Sequence, residues 1–340
     1  MKRARTPGCS PWEDEGRIEF IARLAAEGEV TELAGHLLAA ADCEGYAAVS
    51  RLKAMPWERR VALARLLVER ANAPGSTPDR YERVMVLLAT VSRGFVHDAW
   101  CGVWNDRLEG IARRSYWFDC DDEMPPVAEA LLDAGRPLSA EVVGMIRRCA
   151  HHGLGWAQLL LDRLPEPPLN PGELWSDRVL AQLPELGDPW RRLIPHLRAA
   201  KPAPSARWDR AAGTILDGVD AETVRRTATP WLALATHGGS AEAAGHDPWN
   251  VTAVRGLAWL LSSPSVPPHP ETVRVLGALV ERSPVKTVVA GAGIRALARL
   301  DGDAGRDELR RLAGCAGHTV TRRQIRRALT PGTPEGPAAG

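Results

Sequence analysis

Between one proline or glycine and the next, the chain repeats apolar residues at intervals of three and four, and no β-branched run alternates apolar with polar residues. A period near 3.6 marks an amphipathic helix and a period of two marks a half-buried strand, so the pattern restricts the chain to an all-α fold. Behind Pro56, the residues Trp57, Val61, Ala64 and Val68 share one face, with Leu63 and Leu67 beside it. A stripe that wide predicts a helix buried on more than one side. Pro78 opens another helix carrying Tyr81, Val84, Met85 and Leu88, and the spacing returns at Val127, Ala130 and Leu131, then at Val142, Val143 and Ile146.

In the second half, Pro171, Pro189, Pro204, Pro230, Pro248 and Pro270 each stand near the start of an apolar-periodic segment. Their separations suit one helix plus a turn, and two such helices make a unit of roughly 30–45 residues, the length of helical repeats. An amphipathic hairpin of that size keeps a bare apolar face until a neighbour stacks on it. The expected architecture is a HEAT-like α-solenoid of stacked antiparallel helix pairs, with an irregular helical bundle as the alternative. Residues 1–10 and 330–340 are poor in apolar content and read as disordered ends. Gly238 through Gly245 reads as a flexible connection. The proline-rich interval from Leu164 to Pro171 reads as the boundary between an N-terminal helical half, 11–164, and a C-terminal half, 172–329, or as one long inter-repeat turn.

Charge excludes extremes: 43 Lys and Arg against 42 Asp and Glu in 340 residues leave +1, neither polybasic nor polyacidic. No apolar run approaches the roughly 20 residues needed to span a bilayer. The basic start, Met1 to Arg5, leads into Pro7, Gly8 and acidic residues rather than a signal-peptide core. The six cysteines form no CxxC pair or repeating frame, so a reduced, cytoplasmic protein is expected. Only 4 of the 43 basic residues are lysines, a bias that a GC-rich coding sequence produces without functional cause. GxSxG, HExxH, GK[ST] and strand-linked GxGxxG signatures are absent, and no cofactor is implied.

From about Trp175 onward the chain resembles the helical-repeat region of large bacterial MolR-like proteins of unknown function. The stretch from Pro248 through Asn250, Arg255, Gly256, Leu257 and Trp259 to Leu260 carries the likeness most clearly. Lys286, the Ala290-Gly291-Ala292 step, Ala296, Leu297, Leu309, Leu312, Ile325 and Leu329 continue it. Where the pattern has an asparagine after the lysine, Gly291 stands here. The resemblance covers roughly the last 160 residues. It implies an all-α recognition or scaffold region, without the further C-terminal domain of the larger members or the WGR-type module that some of them carry, and it implies no reaction.

Arg255 is the only formal charge between Pro248 and Pro270 and sits among Val254, Leu257, Leu260 and Leu261. A guanidinium there needs a partner, and Trp259, one turn on, has a ring suited to cover its plane. Arg255, Asn250 and Lys286 are candidates to meet a carboxylate or phosphate of a ligand, against an internal salt bridge between repeats. Arg322, Arg323, Arg326 and Arg327 form a basic stripe opposite Ile325 and Leu329, either a solvated face or a phosphate track. The acidic run Asp119 to Glu123, near His97 and Cys101, matches no metal frame and reads as helix capping. Cys149 with His151 and His152 reads as a buried thiol and the favourable end of a helix dipole. Trp117 and Asp121, one turn apart, are similar in kind to the aromatic-plus-carboxylate pairs of HEAT-like DNA glycosylases.

Two functions follow as expectations. The preferred one is a noncatalytic helical scaffold that binds a macromolecular partner, in the first place a protein. The alternative is a nucleic-acid binder or glycosylase-like enzyme with an arginine-lined concave surface.

Overall fold

The computed structural model describes residues 11–39, 51–52, 54–71, 73, 78–93, 98–114, 124–164, 168–237, 246–283 and 288–330. The ends at 1–10 and 331–340, the Gly238–Gly245 connection, the Asp119–Glu123 run, His97, Trp117, Asp121 and Lys286 lie outside the described residues. Among the described residues there are 17 α-helices and no strand, so the chain is all-α. No helix of the described residues is long and apolar enough to cross a membrane. The chain divides into two compact units, Met1–Leu164 and Pro165–Gly340.

The first unit contains α1 (Pro11–Glu27), α2 (Val30–Ala39), α3 (Trp57–Ala71), α4 (Pro78–Val91), α5 (Asp98–Arg114), α6 (Met124–Asp133), α7 (Ala140–His151) and α8 (Gly155–Leu160). Helix α3 packs on α2 and α4, α6 on α4 and α5, and α7 on α5 and α8. The core gathers Leu63, Leu67, Met85, Leu88, Trp104, Leu108 and Ile146. The face of α3 turned inward is Leu63, Ala64 and Leu67, while Trp57 is 48% exposed and lies beside the Arg60 guanidinium. Trp57 is the first residue of α3, where a side chain has fewer neighbours to pack against than one in mid-helix. Arg59 donates to the carbonyls of Leu24, Ala25 and Gly28. It thereby caps the carbonyl end of α1 with a cation, where the helix dipole favours one. Cys149 is buried, and His151 and His152 stand at the exposed end of α7.

The second unit contains α9 (Leu174–Leu186), α10 (Asp188–Arg198), α11 (Ala206–Ile215), α12 (Ala221–Ala235), α13 (Val251–Leu261), α14 (Pro270–Arg282), α15 (Val288–Arg299), α16 (Ala304–Cys315) and α17 (Thr319–Leu329). Local chemistry sets their starts. Ser205 accepts from the Trp208 N–H, Asp220 from the Thr223 N–H, and the His269 ring from the Glu271 N–H behind Pro270. Gly187, at φ +83, is the single residue between α9 and α10, a conformation that side chains resist. Pro230 falls inside α12 instead of opening a segment, because Ala228, Trp231, Leu232 and Ala235 continue one buried stripe through it. Burial of that stripe offsets the hydrogen bond the proline removes.

Helix α13 is buried around most of its circumference, with eight of its 11 residues in the core, as expected of a helix surrounded by others. It contacts α10, α11, α12 and α15. Trp175, Trp190, Trp231 and Trp259 fill the core around it, and the Trp190 and Trp231 rings meet edge to face at 5.3 Å. Gly256 makes the approach to α10 feasible, since a Cβ there would lie 2.4 Å from the Leu197 carbonyl oxygen.

Arg225 ties α12 to the start of α14, pairing with Glu222 at 2.6 Å and Glu271 at 3.3 Å. Hydrogen bonds from Arg225 and then Arg226 pull the Glu222 carboxyl from 4.5 to about 2. A carboxyl whose folded pKa is depressed stabilises the fold above its unfolded pKa, and that contribution is lost as pH falls toward the folded value. Between pH ~5 and ~2 the unfolding midpoint of the wild type is therefore expected to fall more steeply than that of Glu222→Gln. Thermal melts across that range check it, and parallel curves would remove Glu222 from the acid response.

Candidate anion-binding pocket

The turn joining α10 to α11 presents three successive carbonyls to three side chains from other helices. Arg255 on α13 donates to the Ala200 carbonyl, Trp259 to that of Lys201 at 3.1 Å, and Arg295 on α15 to that of Pro202. The four-residue spacing of Arg255 and Trp259 places both on one face of α13, aimed at neighbouring carbonyls. The expected cover of the Arg255 plane by the Trp259 ring is replaced by this parallel anchoring, and Trp259 is fully buried.

Beside this turn lies a cavity of about 740 Å³, lined by Pro202 and Pro204 of the turn, by Arg255 of α13 and by residues of α15 and α17. Four guanidinium-bearing residues line it: Arg255, Arg295, Arg299 and Arg327. Arg299 pairs with the half-buried Asp209 of α11. Arg255, Arg295 and Arg327, three positive charges around one cavity, have no acidic partner among the described residues. The Arg255 guanidinium is held below its ordinary pKa, first by burial and then by the charge of Arg295. Buried Nε of Arg255 and Nη1 of Arg299 also lack an acceptor among the described residues. The rest of the wall is apolar or small, including Val288, Ala292, Ile294 and Ala328, with the Gln324 amide at its edge. Neither a carboxylate, a thiol, an imidazole nor a hydroxyl is among the lining residues. Such an arrangement can bind an anion and orient its carbon body.

The residues singled out from the sequence are only partly brought together. Arg255 and Arg327 meet in the cavity. Arg322, Arg323 and Arg326 share α17 with Arg327 but do not line it, and none of the four has an acidic partner among the described residues. Arg310 and Arg311, by contrast, are neutralised by Asp307, Glu308 and Glu281.

Asn250 belongs to a separate buried network. Its Oδ1 accepts from the Asn170 N–H at 2.8 Å, and its Nδ2 donates to the Asn170 carbonyl and to Glu173 Oε2 at 2.8 and 2.7 Å. Glu173 Oε1 accepts from the Asp247 N–H at 3.1 Å and faces His246 Nδ1 at 3.2 Å. Asp247 accepts from the Trp249 N–H, so the turn it starts precedes the helix and α13 begins at Val251. The network joins the segment before α9 to the segment before α13.

Arg295, Arg299, Asp209 and Gln324 were not singled out by the sequence. Their one signal is the four-residue step from Arg295 to Arg299, which places two guanidiniums on one face of α15. Among the described residues no group of His, Cys, Asp and Glu is arranged to hold a metal ion. The first unit has a smaller cavity of about 400 Å³, with Cys101, Asn105, Arg136 and Ser139 on its wall and no comparable charge. No family model matches the chain, and no match is found among curated proteins or among solved structures.

Proposed function

We propose that the protein is a noncatalytic helical-repeat scaffold of the cytoplasm that binds a protein partner, and that an acidic group of the partner enters the arginine-lined cavity. The observation that carries the reading is that Arg255, Arg295 and Arg327 line one cavity with no acidic partner among the described residues. Guanidiniums kept apart from carboxylates at some cost in repulsion make sense where an external anion completes them. A discrete cavity in a chain of formal charge +1 favours a local anion over a long polyanion.

A solenoid of stacked helix pairs is the architecture we propose for the second unit. In support, α9, α12, α14 and α16 contact one another in succession, as do α10, α13, α15 and α17, and each member of one series touches its counterpart in the other. The likeness of this half to the MolR-like helical region belongs to the same proposal. Asn250 and Gly256 of the shared stretch have structural roles here, in the buried network and in the contact with α10.

The test uses the full chain as bait in nuclease-treated extract of its source organism, with an Arg295→Gln, Arg327→Gln double variant of matched melting temperature beside it. A protein recovered in stoichiometric amount by the wild type and at least tenfold less by the variant supports the reading. Equal recovery, or none, sinks it. Duplex DNA retained at low salt and released steeply with added salt, in the wild type alone, puts the nucleic-acid reading in its place.

A further inference from the structure

The proposed anion-binding cavity is large and mixed in its lining, and that mixture narrows its occupant. Its volume of about 740 Å³ falls within the roughly 300–1,000 Å³ typical of organic-ligand sites. Bare inorganic ions would leave most of it to water. Its lining combines the guanidiniums of Arg255, Arg295 and Arg327 with the apolar Val288, Ala292, Ile294 and Ala328. A single carboxylate would neutralise one of these three charges. A phosphate monoester near neutral pH carries close to two, with three terminal oxygens that suit the planar forks of several arginines at once. Asp209 is drawn to Arg299, so that carboxylate is tied to a guanidinium of its own.

We propose that this cavity binds a phosphate monoester carried on an apolar or aromatic body, with Arg295 and Arg327 as its principal ligands. The carrier is either a phosphorylated side chain of the protein partner, which rests on the scaffold reading above, or a free small phosphate, which does not. Arg255 serves both the anion and the Ala200 carbonyl, whereas the Arg327 side chain makes no hydrogen bond or ion pair among the described residues. Arg327 is therefore the position to change without disturbing the fold.

The experiment is calorimetric titration of the full chain with phenyl phosphate, benzoate, and a short phosphotyrosyl peptide beside its unphosphorylated form. Phenyl phosphate is expected to bind at least tenfold more tightly than benzoate. Its affinity should rise with pH through about 6, where the second phosphate proton leaves. Arg327→Gln should weaken it by roughly tenfold, the effect of losing one charge-assisted hydrogen bond, at an unchanged melting temperature. Equal binding of phosphate and carboxylate, or an Arg327→Gln variant that binds as the wild type does, overturns the proposal. A phosphopeptide that binds more tightly than phenyl phosphate identifies a partner's side chain as carrier, and one that binds more weakly identifies a free small phosphate. The arms separate the two readings: partner capture with no phosphate preference defeats this inference alone, and phosphate binding with no captured partner defeats the scaffold reading alone.

Discussion

Replacing Gly256 with alanine is expected to destabilise the second unit by roughly 3 kcal/mol, at the upper end of the usual cost of overpacking. The added Cβ would meet the backbone of Leu197 at 2.4 Å from its oxygen and 2.6 Å from its Cα, and backbone cannot swing aside as a side chain can. Relief requires α10 and α13 to separate, which loosens Leu193, Leu197, Leu257 and Trp259 together. Thermal or denaturant unfolding gives the answer, and a drop in midpoint of roughly 6–12 °C is expected for a unit of this size. Gly213→Ala is the control, because a Cβ at that position meets nothing within 4 Å. There the better helix propensity of alanine should add about 0.5–1 kcal/mol. Similar effects from both substitutions would mean that the approach of α10 to α13 is looser than described.

Asn250→Ala is expected to be at least as damaging, with a loss of about 4 kcal/mol. One buried amide serves the N–H and the carbonyl of Asn170 and the carboxylate of Glu173. Each buried group left short of a partner costs about 1–3 kcal/mol, and more when that group is charged, as Glu173 is when ionised. A double-mutant cycle with Glu173→Gln gives the sharper reading. If Glu173 and Asn250 depend on each other, the double variant loses clearly less than the two single losses combined. Additive losses would show that Asn250 acts through backbone contacts alone.

The helices were legible because burial imposes a period on each segment that local reading detects. Leu63, Leu67, Val142 and Ile146 are all in the core for that reason. Pro230 misled because a proline looks the same at a helix start and inside a helix whose apolar stripe outweighs it. The Asn170–Glu173–Asn250 network carried no local signal, since its members lie nearly 80 residues apart and polar residues before a helix ordinarily read as caps. Arg255 stood out as a lone charge in an apolar helix. Arg295 and Arg299 did not, being two among 39 arginines whose distinction is the company the fold gives them. The basic stripe was visible on α17, but only the fold separates Arg327, at the cavity, from Arg322, Arg323 and Arg326 outside it.

Surface connections ordinarily tolerate insertion and deletion. The turn after α10 should be an exception, because the carbonyls of Ala200, Lys201 and Pro202 are each assigned a donor of their own on a different side chain. Lengthening or shortening it by one residue would shift all three acceptors out of step with Arg255, Trp259 and Arg295. In this protein the segment is measured to the residue, and variation in chain length is expected to collect in other turns.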